Sequence, residues 1–272
     1  MIPAIVKTRN RPALLALTLA SLHATAPELV PWIVDDGSDA PAALAYLRRQ
    51  APAPAPVGWP ADPHWRRHVG SPPEPWPELW LPDGVEVLSH RRLGIVGGHM
   101  HYTRLAAERW SEAPWLLLLE DDVLFTDVWQ ARLAYLTAMA PPDVGFISLY
   151  DRHDIDWRTH RRGWREIDLI PQRNRWGYRT PPLAGGVAYL VRREAVRGPE
   201  FIAAYPVDQT AGDTMIQCAI ARLGYRCITA SPSLVQHTGA NSLAHPEKPL
   251  RFVRQLAGPL VYGVGVDHAL CR

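Results

Sequence analysis

Short apolar runs alternate with stretches of helical periodicity along the first part of the chain. Leucines recur at helical spacing after Pro12, between apolar runs at residues 2–7 and 31–34, and residues 42–49 predict a second helix. Proline suits the first position of a helix. Strand, helix, strand and helix at this spacing are typical of an α/β fold with a parallel sheet.

The same alternation continues in the rest of the chain. Further strands are predicted at residues 85–88, 115–119, 144–149, 187–191 and 225–229. Helices are predicted near residues 99–110, from the candidate cap Thr126 onward with Trp129, Leu133 and Leu136 on one face, and from 212 to the terminating Gly224. The pattern predicts a mixed, mainly parallel central sheet flanked by helices, in a single domain with irregular insertions.

Residues 51–83 interrupt this pattern. Ten prolines exclude a helix or a central strand from the segment. Tryptophans are interleaved with the prolines at positions 59, 65, 76 and 80. We interpret the segment either as an ordered insertion packed on the domain or as a plain surface loop.

Composition narrows the class of protein. The chain of 272 residues is 47% hydrophobic, which suffices for one large core, and its net charge of +2 does not require a polyanionic partner. Only two of the 29 basic residues are lysines, and arginine is the better bidentate phosphate ligand, although a GC-rich genome also explains this skew. Three cysteines without metal spacing, no signal peptide and no apolar run of ~18 residues favour a soluble, cytoplasmic protein.

Two acidic clusters follow predicted strands. Asp35 and Asp36 end one strand, and Glu120, Asp121 and Asp122 end another. Ligands of open α/β sheets bind outside the carboxyl ends of strands, so both clusters are expected to line one crevice. Adjacent carboxylates suit Mg²⁺ or Mn²⁺, and the other cluster can accept hydrogen bonds from a base or a ribose. The alternative is that each cluster is a solvated acidic turn.

Two further residues are candidates for chemistry. His237 follows an apolar run and precedes a small polar turn, so it is either a metal ligand or a hydrogen-bonded structural histidine. Asp213 opens a predicted helix. It either caps that helix or accepts a proton from an attacking hydroxyl.

Taken in chain order, these motifs resemble the nucleotide-sugar-dependent glycosyltransferases of the GT-A fold, in particular family 2, with a DXD motif at Glu120–Asp122. The similar segments are residues 4–12, 33–39, 118–123, 184–195, 212–214 and 236–242. Residues 51–83 and 151–179 have no counterpart in the family pattern.

The resemblance implies a role for each motif. Asp122, with His237 and Glu120, would bind Mn²⁺ or Mg²⁺, and Asp213 would be the catalytic base of an inverting transfer. A retaining reaction remains open if Asp213 only caps its helix. The residues expected to bind the nucleotide sugar, a UDP-sugar by resemblance, are Thr8, Arg9, Arg11, Asp35, Asp36, Arg92, Asp121, Gly185 and Gly186.

The resemblance also implies a domain organisation. A GT-A catalytic domain is expected over residues 1–245, with a nucleotide-sugar-binding half at 1–125, an acceptor-binding half at 126–245 and a C-terminal extension at 246–272.

The acceptor is left open between a glycan, a small molecule and a hydroxylated base in nucleic acid, as in DNA of the phage type. Residues 151–179 hold eight arginines, five acids, three tryptophans and a tyrosine, a mixture that can track phosphates and stack bases. The same mixture also lines carbohydrate sites or forms a packed loop. Two other classes of function are a nucleotidyltransferase with the same acidic metal site and a non-catalytic binding module.

Overall fold

The computed structural model of the chain describes residues 2–55, 77–150, 164–166, 172–173, 179–180, 185–204, 212–238 and 260–261. The strands among these residues are β1 (Ala4–Thr8), β2 (Trp32–Asp35), β3 (Glu86–Ser89), β4 (Trp115–Glu120), β5 (Val123–Thr126), β6 (Val144–Tyr150), β7 (Trp164–Glu166), β8 (Gln172–Arg173), β9 (Arg179–Thr180), β10 (Gly185–Arg192), β11 (Arg226–Ala230), β12 (Val235–His237) and β13 (Leu260–Val261). The helices are α1 (Pro12–Thr25), α2 (Pro41–Leu47), α3 (Gly94–Arg109), α4 (Trp129–Met139), α5 (Arg193–Val196), α6 (Pro199–Ala204) and α7 (Gly212–Arg222).

Within the described residues, eight strands form a central sheet in the order β3-β2-β1-β4-β10-β6-β11-β7. Strands β3, β2, β1 and β4 are parallel, and β6 pairs in parallel with β11. Strand β10 runs antiparallel between β4 and β6, and β7 is antiparallel at the edge. The predicted mixed, mainly parallel sheet flanked by helices is therefore confirmed.

The core lies on both faces of this sheet. Leu15, Leu19 and Trp129, from α1 and α4, pack on one face. Tyr102 and Ile216, from α3 and α7, pack on the other. Burial on both faces explains why the parallel strands have near-continuous apolar sequences.

A small second sheet, in the order β12-β5-β13, lies beside α1. Backbone N–H groups of β5 donate to α1 hydroxyls, from Val123 to Thr18 Oγ1 at 2.9 Å and from Phe125 to Ser21 Oγ at 2.9 Å. Strand β13 lies within the expected C-terminal extension and pairs with β5, so this part of the extension packs on the domain. Helix α1 is therefore held on its outer side by polar contacts as well as by packing.

Three details of the predicted elements are wrong. Thr126 does not cap α4, because it belongs to β5, and the helix follows Val128 without a side-chain cap. Helix α3 begins at Gly94, whose φ of +75° suits glycine, and so starts earlier than residue 99. Gly185 and Gly186 do not precede β10 but form its first two residues.

The ends of the proline-rich segment pack onto the core. Ala53 and Leu81 are buried in the cluster beneath α1, and Ala53 N–H donates to Leu79 O at 2.8 Å. Trp80 is exposed, whereas the other three tryptophans lie outside the described residues.

None of the described helices combines the length and the apolar character needed to cross a membrane.

Candidate active site

The carboxyl ends of β1, β2 and β4 bring the predicted site residues to one edge of the central sheet. The parallel registers place Thr8 beside Asp35 and Lys7 beside Glu120. Because β1 lies between β2 and β4, the two acidic clusters flank one strand. Sequence reasoning predicted this shared edge, and the structure agrees with it.

Asp122 is buried at this edge and contacts both Arg11 and His237. Its buried Oδ2 accepts a hydrogen bond from Arg11 Nη1 at 2.7 Å and lies 3.0 Å from His237 Nε2. Its Oδ1 is also buried and has no hydrogen-bond partner among the residues that the structure describes. A buried carboxylate oxygen without a partner is costly unless a cation or another donor reaches it.

The pairing of β12 with β5 explains how a residue 115 positions away reaches Asp122. Strand β5 begins directly after the acidic cluster, and the antiparallel register sets His237 opposite Val123. The ladder continues one step further, because Thr238 N–H donates to Asp122 O at 2.7 Å. His237 is thus placed by backbone pairing rather than by a flexible loop.

Glu120, Asp122 and His237 form a cluster that could hold a divalent metal. Each offers one ligand atom, and these atoms lie within 4.8 Å of one another. The two carboxylates and the imidazole suit Mn²⁺, and the unpartnered Oδ1 of Asp122 supplies a ligand position. The residues present therefore fit the divalent cation that the sequence motifs imply.

Asp121 directly follows β4 and is fully buried. It accepts a hydrogen bond from Thr8 Oγ1 at 2.6 Å and another from Arg11 Nη2. Arg11 therefore bridges two adjacent carboxylates. The sequence predicted Arg11 at the site as a candidate ligand for the nucleotide sugar, but its part as a counter-charge was missed.

Burial and charge act in opposite directions on these groups. Burial alone would raise the pKa of Asp122, but Arg11 and His237 outweigh it and hold that pKa below its usual range. Burial raises the pKa of Asp121 despite Arg11. Burial would lower the pKa of His237, but the Asp122 carboxylate raises it overall. The site thus stabilises one ionised carboxylate strongly and its neighbour weakly.

The loops after β1, β2 and β3 are fastened to one another. Asp35 Oδ1 accepts from Ser38 N–H at 3.0 Å, and Asn10 Nδ2 donates to Asp39 Oδ1 at 2.6 Å. Gly37 has a φ of +71°, and a Cβ there would lie 2.7 Å from the backbone nitrogen of Arg92. Only glycine suits that position, so the sequence Asp-Gly after β2 keeps these loops close.

Asp36 reaches the opposite face of the sheet from Asp35. It accepts from Leu93 N–H at 2.8 Å and from Tyr102 Oη at 3.0 Å, which ties the end of β2 to α3. Both acids of this cluster are buried, with partners within the protein. Their positions suit the lining of a nucleotide site, although much of their accepting capacity is used internally.

The remaining predicted residues lie around this edge or on elements further along the sheet. Arg9 Nη2 lies 4.0 Å from Asp39 Oδ2, and Arg92 is exposed. Gly185 pairs with Tyr150 at the start of β10. Asp213 lies in the first turn of α7, as predicted.

Sequence reasoning missed a polar group on the α3 side of the sheet: Lys7, His99, Tyr102 and Tyr189 line a small cavity there. Burial lowers the pKa of Lys7, although Glu120 and Asp36 oppose that change. One signal was available. Lys7 is the first of only two lysines in the chain, and it interrupts an apolar strand.

The chain matches no protein-family model and no curated protein. Among solved structures, it is similar to TarS of S. aureus, residues 1–349, at 13% identity and a TM-score of 0.44, covering 86% of this chain and 59% of that one. A longer TarS structure gives 13% identity and a TM-score of 0.48, covering 86% and 36%. The galactosyltransferase LgtC, in complex with donor and acceptor sugar analogues, gives 14% and 0.44, covering 84% and 73%. The chain thus spans less than two thirds of either TarS structure, and the site is the better guide to function.

Proposed function

We propose that the protein is a metal-dependent glycosyltransferase that moves a sugar from a nucleotide sugar, a UDP-sugar by the motif resemblance, to an acceptor hydroxyl. One observation carries this proposal: Glu120, Asp122 and His237 converge at the strand edge that also holds Thr8 and Asp35. A cation ligand set beside a polar strand edge suits a substrate that contains a diphosphate.

In this proposal each group of residues has a separate role. Asp122, His237 and Glu120 hold the cation, whose chemistry is to stabilise the negative charge that develops on the departing diphosphate. Arg11 fixes the Asp122 carboxylate and supplies positive charge beside it. Asp35, Asp36 and Asp121 line the nucleotide side of the site, together with Thr8.

Asp213 is the proposed catalytic base. Its carboxylate would accept the proton of the acceptor hydroxyl while that oxygen bonds to the anomeric carbon and the bond to the diphosphate breaks. Attack from the face opposite the leaving group inverts the anomeric centre. Asp213 lies in the first turn of α7, where the helix dipole favours negative charge, and this position suits a carboxylate base.

The acceptor is proposed to bind near the segment between β6 and β10. Tyr150 ends β6, Gly185 begins β10, and the two residues pair. Because β10 is antiparallel to both β4 and β6, Tyr150 and Gly185 lie at the end of the sheet where β4 also ends. Trp164 is buried against β11 and is not available to an acceptor, but the other aromatic residues predicted there lie outside the described residues.

The experiment that tests the proposal is thermal unfolding with a panel of nucleotide sugars in the presence of Mn²⁺. A ligand that binds only the folded protein raises its Tm. At a concentration of 100 Kd the ligand adds about 2.7 kcal/mol to the free energy of unfolding. We expect one UDP-sugar to raise Tm with Mn²⁺ and not with EDTA. No shift with any donor would contradict the proposal.

Turnover with that donor then separates the alternatives. A glycosyltransferase releases a nucleoside diphosphate, whereas a nucleotidyltransferase with the same acidic site releases pyrophosphate. Steep salt dependence of acceptor binding would favour nucleic acid over a glycan.

A further inference from the structure

Glu120 belongs to the proposed metal cluster but does not share a sheet face with Asp121. Successive side chains of a strand alternate, so Glu120 follows Leu116 and Leu118 onto the face that α3 covers. Its side chain is 30% exposed, whereas that of Asp122 is buried. Residues on the α3 face are therefore placed to influence its orientation toward the cluster.

His99, in the first turns of α3, lies against Glu120 on that face. Its Nε2 is 3.8 Å from Glu120 Oε1, an electrostatic contact longer than a hydrogen bond. Its Nδ1 is 3.0 Å from the hydroxyl of Tyr189 on β10, and the two rings are stacked with centroids 6.5 Å apart. His99 is buried, with 6% of its surface exposed. The imidazole of His99, on α3, thus contacts side chains of both β10 and β4.

The tautomer of His99 follows from its two neighbours. The Tyr189 hydroxyl lies against Nδ1 of His99, and the Glu120 carboxylate lies on the side of Nε2. The Glu120 carboxylate only accepts hydrogen bonds, and a bare ring nitrogen facing it would be repelled. The favourable arrangement has Tyr189 O–H donating to Nδ1, with N–H on Nε2 facing Glu120.

We propose that Tyr189 and His99 are positioning residues that orient Glu120 toward Asp122 and His237 and so raise the affinity for a divalent cation. This inference rests on the proposed function. Partners of this kind, which orient a ligand without touching the metal, change metal affinity about 10–100-fold in other sites.

Tyr189→Phe is the central test, with Mn²⁺ alone as the probe and free Mn²⁺ measured by electron paramagnetic resonance. We expect the Kd for Mn²⁺ to rise about tenfold, because the imidazole loses the hydroxyl that fixes its tautomer. Tyr46→Phe is a matched control. It also removes a buried phenol hydroxyl, one without a partner among the described residues, and it should leave the Kd unchanged.

A second pair of variants distinguishes the effect of the ring N–H on Mn²⁺ affinity from the effect of the size of the ring. His99→Leu should weaken Mn²⁺ binding at least as much as Tyr189→Phe, whereas His99→Gln keeps a donor and should restore the Kd to within about threefold of wild type. An unchanged Kd in Tyr189→Phe, or an equal rise in Tyr46→Phe, would overturn the inference. Failure of wild-type protein to bind Mn²⁺ would instead overturn the proposed function.

Discussion

Asp122 shows at the residue scale how one carboxylate can be predicted from sequence while its surroundings cannot. Three acids after an apolar strand indicate a metal site, because like charges are seldom adjacent without a cation. The chain pattern does not reveal that Arg11 bridges two of them, since that contact joins residues 111 positions apart. Local pattern thus predicts a candidate ligand, and only tertiary structure gives the partners of its carboxylate.

Asp122→Asn is expected to abolish Mn²⁺-dependent donor binding and to lower turnover by at least about a hundredfold, because the amide removes one negative charge from the cluster. Calorimetric titration of UDP with and without Mn²⁺ checks binding. Asp127→Asn, an exposed acid five residues further on, is the control and should behave like wild type. Wild-type turnover in Asp122→Asn would refute the metal assignment.

Asp213→Asn tests the base. It should preserve donor binding, because it keeps the size of the side chain, but lose turnover by roughly 10²–10⁴-fold. Comparing Kd for the donor with kcat separates the two effects. Undiminished kcat would remove Asp213 from the role of catalytic base.

Arg11→Met should destabilise the fold. The variant leaves Asp121 and Asp122 buried without their shared cation, and removal of one partner of a buried pair costs about 3–5 kcal/mol. Urea unfolding in EDTA measures that cost. Arg104→Met, which breaks a pair with Glu108 on the surface of α3, should change stability by less than about 1 kcal/mol. Equal losses in the two variants would show that Arg11 is not a buried counter-charge.

At the scale of elements, long regular patterns were predictable and short ones were not. Strand β4 has five consecutive buried apolar residues, so its pattern is unambiguous. Strand β5 has four residues and directly follows a charged turn, and Thr126 therefore resembled a helix cap. What makes β5 a strand is its non-local pairing with β12 and β13, which no local window contains.

Thr18→Val tests how α1 holds β5. The variant keeps the shape of the side chain but leaves the buried N–H of Val123 without its acceptor, at a cost of about 1–3 kcal/mol. Chemical denaturation gives the loss. Thr137→Val is the control, because that hydroxyl donates to the Leu133 and Ala134 carbonyls within its own helix. A cost below that of the control would exclude the Thr18 contact as a support.

At the scale of the whole molecule, the fold class was predictable because it depends on the alternation of strands and helices along the chain. The exception is β10, which lies antiparallel between β4 and β6. Its apolar run is the same in either direction, so the sequence pattern does not distinguish parallel from antiparallel pairing. The network of Lys7, His99 and Tyr189 was missed for a related reason: its members come from three separate elements.

Cys227 on β11 can report opening of the whole sheet. Burial raises the pKa of this thiol to about 12, so at pH 8 the folded protein holds almost no reactive thiolate there. Alkylation should then require unfolding, and Mn²⁺ with UDP at about 100 Kd should slow it about a hundredfold. Mass spectrometry of the Cys227 peptide measures the rate. The partly exposed Cys218 is the internal control. Equal protection of both thiols would show that alkylation of Cys227 does not specifically measure opening at β11.

The pairing of β12 with β5 determines which side of its strand His237 faces, and so whether His237 reaches the proposed metal cluster. Neighbouring side chains on a strand face opposite sides, so a slip of β12 by a single residue would bring Gln236 to the position of His237. The cluster would then lose its imidazole although every ligand residue was still present in the chain. An insertion or deletion in residues 231–234 that shifted this pairing could therefore silence the site without altering any ligand.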